Sequence, residues 1–429
     1  MERAIVHFDG DSFFASVEQA LNYTLRGKPV VTGAERGAAT SVSYEAKRLG
    51  VTRSMTLSQI KDMCPHVVVV NSDYRAYAIY AHRMYRIVRR FTPLVEEYSV
   101  DECFADITGL DITYHLSYPE IAQMIKERLE QCLGITFGVG LAPTKVLAKA
   151  ASKFNKPAGF THIALHNRRA YLDKVAIGNV WGIGTATAAM LQGLGIVTAL
   201  DFAEKSHDWM LAQHMHKAHR ALWYELNGTR VHELVVEHGT DIAASIIKSR
   251  TFSPPSKDKT FIYSQLAKNI EAACEKARST GARARAVTVM LKTQSFLYGR
   301  VELDLAVASA DPRDLLRSIK PQFERLYKPN TDYRATGITL RSLVREASFT
   351  HDLFGEGQRT NANLAVLSSV DSLNRRYGSQ TVYVGASMQA VNHRQKSRVK
   401  KAGQRRGIVA MQREYKRKSI DIPFLGNAH

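Results

Sequence analysis

Sulfur, acid and long apolar runs are what this sequence has least of. Its 429 residues hold four cysteines, Cys64, Cys103, Cys132 and Cys274, far apart, with no Cys-x-x-Cys and no Cys/His cluster at zinc-ligand spacing. That excludes a disulfide or zinc framework and leaves buried apolar thiols in a reduced compartment as the expectation. No apolar stretch approaches the roughly 18 residues of a spanning helix, and the chain reaches Asp9 without a signal-peptide core, so no membrane role is expected. Acids number 40 against 59 Lys plus Arg, a formal charge of +19. An excess of that size points to nucleic acid as the partner, an anionic membrane surface being the weaker alternative.

Hydrophobic content of 45% is ordinary for a globular protein, and the length suits about two to four domains. The first ~165 residues mix β-branched runs (Val30-Val31, Val67 to Val70, Ile135 to Val139) with helical patterns at Ser12 to Ala20, Tyr74 to Phe91 and Tyr118 to Leu133. From about Ile163 to Leu234 helix formers dominate. Pro254-Pro255 reads as a break in a polar loop. After it come a helix (Phe261 to Ser279), strands at Ala286 to Thr293 and Arg300 to Leu305, a helix (Pro312 to Leu326) and a strand (Tyr333 to Leu340). The tail differs: between Asn392 and Lys418 it carries eleven Lys/Arg and one acid, Glu414, so a flexible basic run is expected there. The fold class is thus α+β and multidomain.

Against the basic background a few acids stand out. Asp9 ends the apolar run Ile5-Val6-His7-Phe8, and Asp101-Glu102 sit inside Ser99-Val100-Asp101-Glu102-Cys103-Phe104. Hard divalent cations take carboxylate oxygens, and two such ions can hold both the attacking and the leaving oxygen of a phosphoryl transfer. Aspartates at strand ends are also common turn residues and caps. Asp-Glu in a β-like run is harder to dismiss, since both are depleted in strands, but the two can share one cluster only at a strand end, bulge or turn. Asp11, two residues from Asp9, is a rival ligand on spacing alone.

Other segments bear on phosphate. A helix from about Thr144 sets Lys145, Lys149 and Lys153 in a stripe, with Lys156 just beyond in Asn155-Lys156-Pro157-Ala158-Gly159. The stripe is either a solvated basic face or a phosphate contact. Trp181-Gly182-Ile183-Gly184-Thr185, leading to Gly193-Leu194-Gly195, has the pattern of a helix-hairpin-helix, whose backbone N–H groups face DNA phosphates. Gly37 to Ser43 contains nothing larger than valine, either a tightly packed strand or room for a flat ligand. Tyr44 and Lys47, three apart on the next helix, offer a hydroxyl and a cation to one phosphate.

Taken in order, Asp9-Gly10-Asp11-Ser12-Phe13-Phe14-Ala15-Ser16-Val17-Glu18, Gly27-Lys28-Pro29-Val30-Val31, Tyr44-Glu45-Ala46, Ser99-Val100-Asp101-Glu102, Lys145-Val146-Leu147-Ala148-Lys149 and Lys156-Pro157-Ala158-Gly159 resemble the Y-family (translesion) DNA polymerases of the DinB or DNA polymerase IV type. The match spans about residues 1 to 345. The resemblance implies Asp9, Asp101, Glu102 and the carbonyl of Gly10 as ligands of two Mg²⁺ ions, selecting Asp9 over Asp11. It implies Phe13 beside the incoming nucleotide, Phe14 as the steric gate against a ribose 2′-hydroxyl, and Tyr44, Lys47 and Lys156 on the triphosphate. Lys47 stands where many relatives carry Arg, and Phe14 replaces a common tyrosine.

The implied architecture is a right hand: palm (1–10 and 75–165), fingers (11–74), thumb with the helix-hairpin-helix (166–232), linker (233–242), little finger (243–345) and basic tail (346–429). Lys145, Lys149, Gly182 and Gly184 would contact DNA. Thr350-His351-Asp352-Leu353-Phe354 resembles a short sliding-clamp peptide, with Leu353 and Phe354 as anchors and Thr350 in place of the usual glutamine. Primer–template DNA and deoxynucleoside triphosphates are the expected partners of a cytoplasmic, nucleoid-associated monomer. Two rivals remain from the residues alone: a catalytically silent DNA-bound scaffold, and a nuclease built on the same acids.

Overall fold

A computed structural model describes residues 3–236, 243–345 and 356–393. Two units, Met1–Gly239 and Thr240–His429, each fold about their own cores.

The first unit begins with β1 (Ile5–Gly10), α1 (Phe13–Leu21), β2 (Val30–Thr32), β3 (Ser41–Val42), α2 (Tyr44–Arg48), α3 (Leu57–Met63) and β4 (Val68–Val70). It continues with α4 (Tyr74–Val88), β5 (Val95–Ser99), β6 (Glu102–Asp106), α5 (Leu110–Tyr114), α6 (Tyr118–Leu133), β7 (Phe137–Ala142), α7 (Lys145–Ala151) and β8 (Phe160–His162). The short helices α8 (Arg168–Leu172), α9 (Thr185–Gly193), α10 (Ala199–Ala203), α11 (His207–Ala212) and α12 (Lys217–Leu226) complete it.

The principal sheet has the order β5-β6-β1-β7-β8, which makes β1 central. A central strand is covered on both faces, and that explains the nearly unbroken apolar run of β1. Its alternate residues feed two cores. Val6 and Phe8 pack with Tyr77, Met84, Ile121, Ile125 and Leu129 of α4 and α6. Ile5 packs with Phe104, Val146, Leu147 and the helical segment that includes Phe202 and Leu226. By the same alternation His7 and Asp9 project to the α7 side. Strands β3-β2-β4 form a separate small sheet over Val31, Val42, Ala46 and Ile60.

The second unit runs β9 (Ser245–Ser256), α13 (Lys259–Ser279), β10 (Ala282–Thr293), β11 (Tyr298–Ser309), α14 (Pro312–Leu326), β12 (Tyr333–Arg345) and α15 (Glu356–Tyr377). Its sheet has the antiparallel order β11-β10-β12-β9. Two expectations are corrected here. Pro254-Pro255 lies within β9, not in a loop. β9 is an edge strand whose outer N–H groups need no partner, and a register shift at Tyr333/Ala335 absorbs the prolines.

The stretch after residue 345 is also not wholly a tail. Arg278 of α13 forks onto Asp371 of α15 at 2.8 and 2.7 Å, and the Lys268 ammonium donates to the Ala390 carbonyl at 3.3 Å. The Ala390 N–H reaches Ser264 Oγ at 2.9 Å. These contacts bury polar residues of α13 that a helix covered on one side alone would leave wet. The clamp-like peptide at 350–354 and the basic run from 394 onward lie outside the described residues.

Candidate active site

Antiparallel pairing of β1 with β6 sets Asp9 directly opposite Glu102. Partners in such a pair project to the same face, so both carboxylates turn toward α7. Asp101 sits in the turn just before β6, where its carbonyl accepts the Gly10 N–H at 2.8 Å and the Ser99 hydroxyl bonds its side chain. A register shift between Glu97 and Ser99 disturbs β5 just before that turn, while Glu102 stays paired in the sheet. Gly10 is required: a Cβ there would lie 2.7 Å from the Phe13 ring.

His7 is the residue that reading the sequence for acids overlooked. His7, Asp9 and Glu102 bring ligand-type atoms within 4.8 Å of one another; Asp101 adjoins this cluster at the turn and is not part of it. The His7 ring is fully buried, with Nε2 2.8 Å from Glu102 and Nδ1 2.8 Å from Ser152 Oγ. Burial keeps the imidazole below its ordinary pKa against the pull of Glu102. A carboxylate only accepts, so Nε2 carries a proton toward Glu102, while Nδ1 meets a Ser152 hydroxyl that also lies 2.9 Å from the Lys149 carbonyl. One signal was visible: a polar residue two before Asp9, on the same strand face, in a run otherwise apolar.

Each acid also meets an ammonium. Lys156 lies 2.7 Å from Asp9, and Lys149 pairs with Glu102. Burial works against the Glu102 carboxylate, but the His7 hydrogen bond and Lys149 outweigh it and hold its pKa down to about 2. Asp9 is raised by burial despite Lys156.

The lysine stripe is corrected in the same region. Lys145 is 4% exposed and donates to both Glu96 oxygens at 2.8 and 2.6 Å, so it faces neither solvent nor DNA. Lys149 is likewise buried on Glu102. The helix-spacing argument was sound, but α7 is packed between the sheet and α12, and ion pairs together with the faces of Phe104 over Lys145 and Tyr98 over Lys149 make its cations tolerable there. Glu96→Ala, which strands the Lys145 charge, is expected to cost about 3–5 kcal/mol in a denaturant melt. A loss under about 1 kcal/mol would mean that water reaches that ammonium.

Asp11 is fully buried and committed elsewhere. It accepts the Ala158 N–H at 2.7 Å, the Thr136 hydroxyl at 2.9 Å and the Tyr44 hydroxyl at 3.3 Å. Its role is to tie the Lys156–Ala158 loop to the start of α1, which removes it as a free ligand. Tyr44 lies between Asp11 and Lys47, whose ammonium stands 4.2 Å over the phenol ring. Phe13 is buried in the core, whereas Phe14 is half-buried and stacks on Tyr77 at 4.2 Å and 9°. The Tyr77 hydroxyl is anchored on Glu18 at 2.7 Å.

In the glycine hairpin, Gly182 has φ of +91°, and a Cβ would press on Leu222 at 3.0 Å. Gly184 caps α9 with open space around it. The helix expected before the hairpin is reduced to the 3-10 turn Ile177–Asn179. Trp181, in the same loop, donates to the Tyr98 hydroxyl at 2.9 Å and so braces the strand leading to Asp101.

Residues 8–153 match the impB/mucB/samB family, and residues 243–353 match the C-terminal domain of that family. The chain is 31% identical to DNA polymerase IV of Staphylococcus aureus (strain MRSA252) over 345 residues, covering 80% of this chain and 96% of the relative. It is 27% identical to DNA polymerase IV of Caulobacter vibrioides over 394 residues, covering 90% and 94%. A solved Y-family DNA polymerase chimera shares the fold with a TM-score of 0.68 at 22% identity, covering 80% of this chain and 99% of that one. Carboxylates facing each other across β1 and β6, a half-buried aromatic on the helix that follows β1 and these matches along most of the chain lead to one conclusion: the chain belongs to the Y-family DNA polymerases, of the DinB or DNA polymerase IV type.

Proposed function

We propose that this translesion-type, template-directed polymerase joins deoxynucleotides to a primer 3′-hydroxyl at two Mg²⁺ ions held by Asp9, Asp101, Glu102 and the Gly10 carbonyl. The observation that carries this is the cross-strand Asp9–Glu102 pair with an ammonium resting on each acid. Lysine heads at both carboxylates mark positions that favour cations, and the donors are hard oxygens suited to Mg²⁺. Magnesium bound there supplies Lewis-acid stabilisation of the reacting phosphate and activation of the attacking hydroxyl.

The chain's own residues do the rest. His7 and Ser152 hold Glu102 in one orientation, and Asp101 is held by Ser99 at the mouth of the turn. Lys156, freed from Asp9, joins Lys47 and the Tyr44 hydroxyl on the triphosphate. Lys47 is a point charge and gives one contact where an arginine would fork. Phe14 closes the sugar pocket. Gly182 and Gly184 present the α9 start to DNA phosphates. The proposed palm, fingers, thumb and linker keep the limits 1–10 with 75–165, 11–74, 166–232 and 233–242. The little finger begins at 243 and takes in the packed segment up to 393. Clamp contact through Leu353 and Phe354, and a monomeric state, complete the proposal.

His7→Leu tests the metal assignment. It is expected to raise the half-saturating Mg²⁺ of primer extension by roughly ten-fold, a loss like that of other outer-shell partners, and to weaken Mn²⁺ binding seen by electron paramagnetic resonance. Unchanged metal dependence in both measurements would separate Glu102 from the metal.

A further inference from the structure

The β10–β11 hairpin places three large side chains in solvent in a row: Phe296 is 59%, Leu297 69% and Tyr298 50% exposed. A turn selected only for solubility would be polar. This one is also stiff. Phe296 N–H donates to the Thr293 carbonyl at 3.1 Å, Leu297 N–H to Thr293 Oγ1 at 3.1 Å, and Gln294 N–H to the Asp332 carbonyl at 2.7 Å. Phe296 has φ of +68°, a left-handed conformation that costs an aromatic residue energy and holds its ring outward.

Cations surround the rings. Lys292 Nζ lies 4.7 Å from the Phe296 centroid and 4.6 Å from that of Tyr298. The Arg334 guanidinium is 4.5 Å over Phe296, and Arg300 is 5.3 Å over Tyr298. Lys292 and Tyr298 are cross-strand partners, and Arg300 follows two residues on, so these three share a face. Asp332 turns its carboxylate toward Lys257, 3.7 Å away.

We propose that this tip is a stacking platform for unpaired bases of single-stranded DNA, with Phe296 and Tyr298 meeting the bases and Lys292, Arg300 and Arg334 the adjoining phosphates. An apolar peptide would match Phe296 and Leu297 and leave three cations without countercharge. A polyanion with aromatic faces answers both. The proposal rests on the polymerase reading and adds a site for unpaired template to it.

The test uses the full chain and fluorescence anisotropy with two ligands, a primer–template bearing a single-stranded template overhang and a blunt duplex. Joint Phe296→Ala and Tyr298→Ala replacement is expected to weaken overhang binding about ten-fold and blunt binding less than about two-fold. Phe296→Trp is expected to keep the affinity, and its fluorescence should be quenched by oligothymidylate. Equal losses on both ligands, no loss on either as for a protein-docking tip, or an unquenched tryptophan would overturn the proposal. Primer extension on the same template separates the failures. Extension without overhang selectivity sinks the platform alone, whereas no extension at all sinks the polymerase reading beneath it.

Discussion

Asp9→Asn is expected to lower primer extension by about a thousand-fold or more while primer–template affinity stays within about two-fold. The substitution keeps shape and removes charge. In the structure Asp9 balances Lys156 at 2.7 Å and faces Glu102 across the strand pair, so asparagine leaves the ammonium facing a neutral amide. Two Mg²⁺ ions held as proposed would then share fewer carboxylates, and the α-phosphate would lose its position. Pre-steady-state insertion kinetics with anisotropy on the same DNA checks both halves. Extension within ten-fold of the parent chain would show that Asp9 is not a ligand.

Phe14→Ala should raise ribonucleotide insertion relative to deoxynucleotide insertion by roughly a hundred-fold, through gain of ribonucleotide use. Gates work by rigidity as well as bulk. Phe14 is stacked on Tyr77, met edge-on by Tyr74 at 5.7 Å, and Tyr77 is itself tethered to Glu18. A ring so braced does not swing aside for a 2′-hydroxyl. Alanine opens the space without touching the carboxylates. Single-nucleotide kinetics with matched ribo- and deoxynucleotides decides the point, and unchanged discrimination would take the gate away from Phe14.

Much of this was legible because strong local signals coincide with the site. Asp9 ends an apolar run that only a central strand explains, and Asp101-Glu102 break β patterning where β6 begins. Helix α14 was readable to its ends, from Pro312 at its first turn to Leu326. What escaped was set by tertiary packing. Lys145 looks like a surface cation until β5 delivers Glu96 to it, and nothing local links residues 49 apart in sequence. His7 looks like a stray polar residue until Ser152 and Glu102 close on its two nitrogens. β9 was hidden by its prolines, which an edge strand tolerates. The fold of 356–393 was hidden because the partners it needs, Arg278, Lys268 and Ser264, lie 93 to 126 residues upstream on α13.

The most direct test of the two-metal polymerase assignment is to supply the chain with primer–template, the four deoxynucleoside triphosphates and Mg²⁺, and to count products for the parent and for Asp101→Ala. The account predicts one pyrophosphate released per template-directed nucleotide added by the parent, and neither product from Asp101→Ala although it still binds the DNA. Shortened strands without pyrophosphate, or undiminished extension by Asp101→Ala, would contradict it.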